Sequence, residues 1–159
     1  MEILRPRLER FKQDNMTVHM IKLVVGVEDL DEFLAIQKAC IVDFEGKPAN
    51  AVRTRFMPKR ASEVLDGGSL YRVIKNKIVC RQRIIGFDSV ETSDKGSQTL
   101  IMVDPTIIQT ISTPKRPFQG WRYFEPASVP KDRGVYRGNN QRDEIPEDLQ
   151  DSLREAGLL

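Results

Sequence analysis

The alternation of apolar and polar residues predicts a strand followed directly by a helix at the start of the chain. Residues 17–25, TVHMIKLVV, alternate and are rich in β-branched side chains, so they predict a strand. One face of this strand would present His19, Ile21, Leu23 and Val25. Residues 28–41 instead repeat apolar side chains at three- and four-residue intervals, and carboxylates fill the first turn. This second pattern predicts an amphipathic helix whose acidic start complements the helix dipole.

The next part of the chain predicts a second strand and a short helix. Residues 43–50, DFEGKPAN, predict a loop, and residues 51–57, AVRTRFM, predict a strand. Pro58 suits the start of a helix, because its fixed φ matches the first helical position. Gly67 or Gly68 then supplies the left-handed residue that ends this helix.

A pair of basic strands follows. Residues 69–75 and 77–87 predict a hairpin, because Asn76 between them tolerates the positive φ of a tight turn. Alternation along the second strand places Arg81 and Arg83 on the same face. The spacing says nothing about which other strand lies beside them.

The last third of the chain is less regular. Residues 98–103 predict a strand, whereas residues 104–112 fit either a helix that opens at Asp-Pro or an edge strand. Residues 113–126 contain three prolines, which favour an irregular segment there. Residues 127–144 are polar and predict a loop or an extended arm, and residues 145–159 predict a final helix.

This order of elements predicts an α+β fold with a bent, mostly antiparallel sheet or small barrel and two to four helices. A chain of 159 residues has the size of one ordinary domain. We expect a single α+β domain in residues 16–126, preceded by an N-terminal extension at 1–15. A polar arm at 127–144 and a C-terminal helix at 145–159 complete the predicted organisation.

Composition argues against several classes of protein. No apolar run approaches the roughly 18 residues that a membrane-spanning helix needs, and the first residues lack an apolar signal segment, so we expect a cytoplasmic protein without a membrane partner. Cys40 and Cys80 lie among apolar neighbours and are expected to be buried free thiols. His19 is the only histidine, and no spacing of metal ligands is present, so we expect neither a metal nor a cofactor.

Positive charge is concentrated in the middle of the chain. Residues 1–46 carry 6 basic and 9 acidic side chains, residues 47–124 carry 14 and 6, and residues 125–159 carry 5 and 8. The middle segment therefore has a net charge of +8, since 14 minus 6 leaves 8, between flanks of −3 each. Either it forms an electrostatic surface for an anionic partner, or the acidic flanks balance it in the fold.

The only tryptophan lies in the segment TPKRPFQGWRYFEP, residues 113–126. An indole in such a segment either covers the core or anchors a partner, because it combines a large apolar ring with one polar N–H. We expect Trp121 to pack inward while Lys115, Arg116 and Arg122 stay in solvent.

The sequence leaves three functional classes open, of which the first is a module that binds RNA or other single-stranded nucleic acid. In that class a basic face would bind phosphates, and aromatic side chains would stack on unpaired bases. The candidate ligand-binding residues are Arg53, Arg55, Lys59, Arg60, Tyr71, Arg81, Arg83, Lys115, Arg116, Trp121, Arg122 and Tyr123.

The second class is a scaffold or assembly factor that binds a protein, or a second copy of the chain, through the Trp121 segment and the C-terminal helix. The third is an enzyme whose site is not visible in sequence, because catalytic groups are recognised by geometry. No GxSxG or HExxH motif is present, and His19 is expected to be a hydrogen-bonded core histidine. We therefore assign no catalytic residue and favour a non-catalytic protein.

Several stretches resemble an uncharacterised family of small alphaproteobacterial proteins, a domain of unknown function. They are MTVHMIKLVVGV from Met16, TRFMPKRASEVLDGGSLYRVIKNKIVCRQRIIGF from Thr54, PFQGWRYF from Pro117 and the closing REAGLL. Arg72 and Asn76 depart from the LYWVIKG typical of that family. The resemblance implies no activity, cofactor or catalytic residue. A helix followed by basic strands is also similar to the layout of PUA-like RNA-binding barrels.

Overall fold

The computed structural model describes residues 17–138, which form nine strands, two α-helices and one 3₁₀ turn. The strands are β1 (His19–Leu23), β2 (Val42–Phe44), β3 (Lys47–Thr54), β4 (Ser69–Ile74), β5 (Lys77–Thr92), β6 (Gly96–Val103), β7 (Ile108–Pro114), β8 (Trp121–Phe124) and β9 (Asp132–Val135). The helices are α1 (Leu30–Ala39), α2 (Ala61–Leu65) and the 3₁₀ turn Pro126–Ser128. The predicted extension and C-terminal helix lie outside the described residues.

All nine described strands belong to one bent sheet, and this confirms the predicted α+β class with a mostly antiparallel sheet. The main path runs β2-β3-β6-β5-β4-β1-β8, and only β1 and β4 pair in parallel. β5 is long enough to pair with β4, β6 and β7, and register shifts along it mark β-bulges. Bulges increase local twist and bend a strand. The sheet is not closed, so the small-barrel alternative is wrong for the described residues.

Apolar clusters cover both faces of this sheet. Along β1, Met20 belongs to one cluster and Ile21 to another, because successive side chains point to opposite faces. The first cluster includes Val64 of α2, and the residues packed around it include Trp121 and Tyr123 of β8. A third cluster holds the buried ring of Phe33 in α1.

The helix α1 follows the sequence signals closely. The side chain of Asp29 accepts a hydrogen bond from the Glu32 N–H (2.9 Å), which caps the first turn. Phe33 is buried, with Leu30 and Leu34 packed against the same cluster, so the predicted apolar face is the face that meets the sheet. None of the helices in residues 17–138 is long and apolar enough to cross a membrane.

The chain reverses between β4 and β5 as the sequence predicts. Lys75 and Asn76 both have positive φ, 50° and 65°, which is the conformation of a two-residue hairpin turn. Gly67, at φ 89°, supplies the predicted left-handed residue after α2.

The structure corrects two predicted irregular segments. Residues 43–50 form the hairpin of β2 and β3, with Glu45 and Gly46 at positive φ in its turn. The sequence hides this turn because glutamate rarely adopts positive φ. Residues 113–126 contain β8, which pairs antiparallel with β1. The prolines lie outside residues 121–124, so every strand residue keeps its N–H for the ladder.

Two further segments are strands. Residues 104–112 follow the strand alternative and not the helix, since β7 begins at Ile108. It is not an edge strand, because it pairs with β5 on one side and with β9 on the other. The described part of the predicted arm, residues 127–138, contains β9 and the buried side chain of Tyr136.

The two cysteines differ in exposure, which corrects the expectation that both are buried. Cys40 is exposed after α1, whereas Cys80 is fully buried in β5, where burial raises the pKa of its thiol to about 12. A thiolate is the reactive species. We therefore expect one thiol of the native protein to react rapidly with Ellman's reagent at about pH 8 and the other only after unfolding.

The matched variants identify the two thiols. Cys40→Ser should remove the fast reaction and leave the slow one. Two fast thiols in the native wild-type protein would show that the β5 environment is open to solvent and would contradict the buried position of Cys80.

Candidate functional site

A cavity of about 450 Å³ lies where the end of β3 approaches the edge strand β8. We call it the Trp121 cavity, and its lining residues are Lys22, Thr54, Arg55, Phe56, Gln119, Gly120 and Trp121. Two of these residues are cations, two are aromatic, and none is acidic.

Trp121 is held in this cavity by strand pairing and by a hydrogen bond. Trp121 is the first residue of β8 and pairs with Lys22 of β1. Its indole Nε1–H donates to the backbone carbonyl of Phe56 (2.9 Å), which ties the segment after β3 to β8. One edge of the ring meets Tyr123 with centroids 4.8 Å apart. The indole is therefore half-buried against the core, and the expected inward packing of Trp121 is confirmed.

Phe56 also lines the cavity. The residue is 67% exposed, and the neighbouring Met57 is 47% exposed. The Phe56 carbonyl, not the ring, makes the contact with Trp121. The ring is therefore available to a ligand without any loss of the tether.

Positive charge accumulates at Lys22 of the cavity lining and at Arg72, its neighbour on β4. Lys22 is half-buried, and burial together with the neighbouring Arg72 lowers the pKa of its ammonium group. Arg72, the direct partner of Lys22 in the parallel register, is only 5% exposed, and burial lowers the pKa of its guanidinium to about 10.

The Arg72 guanidinium bonds to main-chain atoms. Its Nε donates to the carbonyl of Lys22 (3.2 Å) and one terminal nitrogen donates to the carbonyl of Leu23 (3.1 Å), while the group lies over the ring of Phe33. No carboxylate among residues 17–138 pairs with Arg72, Lys22 or Arg55. Neighbouring cations without an acidic partner in the described residues make this part of the cavity attractive to an anion.

A second cavity of about 390 Å³ lies beside the hairpin turn at Asn76, and its lining also includes Pro114, Lys115, Arg116 and Pro117. Its described lining also includes two cations and no acidic residue. The ring of Phe118 lies under both Lys115 (5.9 Å) and Arg122 (4.8 Å). Arg116 and Arg122 are exposed as expected, whereas Lys115 is partly buried.

Arg60 and Tyr123 serve the fold. The Arg60 side chain pairs with Glu63 (2.7 Å) and Glu125 (3.5 Å) and lies 5.2 Å over the Tyr123 ring. The Tyr123 hydroxyl accepts the Arg60 backbone N–H (2.9 Å). Lys59, which precedes Arg60, is exposed. Glu63 and Glu125 balance the charge of Arg60, so Arg60 adds little to a phosphate-binding face.

The Arg81 charge is also balanced. Its Nε and one terminal nitrogen donate to the two carboxylate oxygens of Asp132 (2.9 and 2.7 Å), and its other terminal nitrogen donates to the Ser69 hydroxyl (2.8 Å). This bidentate pair lowers the pKa of the Asp132 carboxyl. Arg83 remains exposed, so the two arginines of β5 have different environments despite their shared face.

Tyr71 and His19 are packing residues. Tyr71 is buried, and its ring meets His19 (5.4 Å) and Phe124 (5.3 Å) edge-on, so it is not accessible to a base. His19 Nδ1 accepts the Ser69 N–H (3.0 Å), and burial, with Arg81 nearby, lowers the pKa of the ring. His19 is thus a hydrogen-bonded packing residue whose Nδ1 acts as an acceptor. Among residues 17–138, no three His, Cys, Asp or Glu side chains are grouped as a metal site.

The sheet order separates Arg53 and Arg55 from Arg81 and Arg83. Because β6 lies between β3 and β5, Arg53 pairs with Leu100, which pairs on its other side with Asp88. Arg53 and Arg55 therefore do not form one face with Arg81 and Arg83. Of the candidates named from sequence, the structure brings Arg55 and Trp121 together in one cavity.

Sequence reasoning missed Lys22, Phe56 and Gln119. Lys22 carried a signal, because it is the one charge within the apolar run HMIKLVV. A charge inside such a strand indicates that the strand borders a cavity or an edge. Phe56 and Gln119 lie outside regular elements, and only the meeting of two distant segments makes them neighbours of Trp121.

Comparison with known proteins identifies a family whose sequence model matches this chain. The model of a family described as "Protein of unknown function (DUF1489)" matches residues 20–159, which is most of the chain. No curated protein matches the chain, and no solved structure matches it.

Proposed function

We propose that this chain, which belongs to the DUF1489 family of proteins of unknown function, binds single-stranded RNA through the Trp121 cavity. The observation that carries the proposal is the lining of that cavity: two aromatic rings and two cations, with no carboxylate among the lining residues that the structure describes. Aromatic side chains that stack on bases, beside cations that bind the backbone, are the usual means of binding single strands.

The cavity favours an unpaired strand over a duplex. A base inside a duplex is stacked on both sides, so it reaches a concave site only after it has been unstacked. RNA loops and ends present such bases without that cost. Trp121 and the exposed ring of Phe56 line the space that a base would occupy.

The second cavity supports a longer path for the strand. Lys115 and Arg116 line it, and Arg122 is exposed nearby on Phe118. Residues 114–117 line this cavity and residues 119–121 line the Trp121 cavity, so a single segment borders both. We therefore assign Lys115, Arg116 and Arg122 to phosphates, and we exclude Tyr71, Arg60, Arg81 and Tyr123, whose side chains are engaged internally.

Salt dependence and one matched pair of variants test the proposal. Binding to a pool of short single-stranded RNAs should weaken steeply between about 50 and 200 mM salt, because each neutralised phosphate releases counterions. Arg55→Ala should weaken binding about threefold to tenfold and reduce the salt slope by about one. Arg53→Ala makes the same change of charge two residues away, outside the cavity lining, and is the control.

The outcomes separate the alternatives. Absence of binding at the lower salt concentration would reject the proposal. Equal effects of Arg53→Ala and Arg55→Ala would assign binding to overall charge and would reject the cavity as the site. A salt-insensitive protein complex that is lost with Trp121 variants, without RNA binding, would support a scaffold in its place.

A further inference from the structure

We infer that the Trp121 cavity is a site for one nucleotide and binds a free nucleoside 5′-monophosphate, with the phosphate on Lys22 and Arg55 and the base against Trp121. This inference rests on the proposed function and specifies that the cavity binds one nucleotide of the RNA strand. It predicts that a phosphate is required, which a purely stacking site would not need.

The size and lining of the cavity match a small polar ligand. Its volume, about 450 Å³, lies within the usual range of small-molecule sites, roughly 300–1,000 Å³. Thr54 and Gln119 add a hydroxyl and an amide to the lining, and such groups bond to base or ribose edges. The tether from the Trp121 indole to the Phe56 carbonyl fixes the distance between the two sides of the cavity before any ligand binds.

The phosphate position follows from the charges of Lys22, Arg55 and the neighbouring Arg72. Lys22 lies in register between Trp121 of β8 and the buried Arg72 of β4. Arg72 has no carboxylate partner in residues 17–138, so its charge adds to the positive potential at Lys22. Burial and Arg72 both disfavour the ammonium form of Lys22, and a bound phosphate would reverse this effect. Arg55 supplies a second cation to the lining, from the segment that follows β3.

The chain contains a single tryptophan, and that residue lines the cavity, so intrinsic fluorescence reports directly on occupancy. The experiment titrates the full chain with AMP, adenosine and inorganic phosphate. We expect AMP to quench the fluorescence saturably and adenosine to bind with an affinity at least about tenfold lower, because charge-assisted bonds to phosphate supply most of the affinity. Inorganic phosphate should compete with AMP.

Variants of Lys22 test the phosphate contact. Lys22→Gln should weaken AMP binding about tenfold, and Lys22→Arg, which keeps the charge, should restore most of it. Lys47→Gln, at an exposed lysine outside the cavity lining, is the charge control and should have no effect. Thermal unfolding of each variant shows whether it is folded. If Lys22→Gln does not fold, the AMP affinity of Lys22→Arg still tests the phosphate contact, because arginine keeps the charge.

Each result bears on one claim. Equal affinities for AMP and adenosine, or full AMP binding by folded Lys22→Gln, would overturn the inference. Salt-dependent RNA binding without any mononucleotide binding would overturn the inference alone. Mononucleotide binding without RNA binding would overturn the proposed function and would support the nucleotide site.

Discussion

Replacing Gly68 with alanine is expected to destabilise the protein by about 3 kcal/mol and to lower its melting temperature by roughly 10 °C. A β-carbon at position 68 would lie 2.3 Å from the carbonyl oxygen of Val64 and 2.5 Å from that of Val18. Both atoms are backbone, and both segments are buried, so neither can move without disturbing α2 or the start of β1. Urea denaturation measures the loss.

Gly67 provides the control for this substitution. It has φ 89°, and a β-carbon there would meet nothing within 4 Å. Gly67→Asn should cost at most about 1 kcal/mol, because asparagine tolerates the left-handed conformation. The two neighbouring positions would then require glycine for different reasons. Position 67 requires a residue that adopts positive φ, whereas position 68 requires a residue without a side chain. Equal losses for both variants would show that α2 and β1 are packed less closely at Gly68 than described.

Phe56→Ala is expected to weaken RNA binding by about tenfold or more while leaving stability nearly unchanged. Stacking on one aromatic side chain contributes about 1–3 kcal/mol per base, and Phe56 is 67% exposed, so it contributes little to the core. The carbonyl that holds Trp121 remains in the alanine variant. Fluorescence anisotropy of a labelled single-stranded RNA measures affinity, and thermal unfolding measures stability.

Met57→Ala is the matched control, because Met57 is also exposed and apolar but does not line the cavity. It should bind RNA as the wild type does. If both variants bind normally, stacking on Phe56 plays no part in binding. If both lose affinity equally, the exposed apolar surface as a whole, not the cavity, is responsible.

Local signals in the sequence were sufficient for several elements. The caps and apolar spacing of α1, the turn at Asn76 and the left-handed glycine after α2 are all determined by residues within a few positions of one another. Such features depend on φ preference and on side-chain periodicity, which a short stretch of sequence records. The turn at Glu45 was not predicted, because glutamate rarely adopts the positive φ that it has there.

Pairing between distant strands was not predictable from the same signals. β8 is only four residues long, and it becomes a strand because β1 offers a free edge for it. The partner of Arg81 is 51 residues away in β9. Nothing in the alternation along β5 distinguishes the balanced charge of Arg81 from the exposed charge of Arg83.

The sequence by itself determined the α+β class, most of the strands and the presence of a basic middle segment with one tryptophan. Only the tertiary structure decided which charges stay unbalanced and which aromatic rings face a cavity. Charge balance and exposure depend on distances between atoms of different segments, and those distances are set by strand order and register. The Trp121 cavity exists because β1, the end of β3 and the segment before β8 meet there.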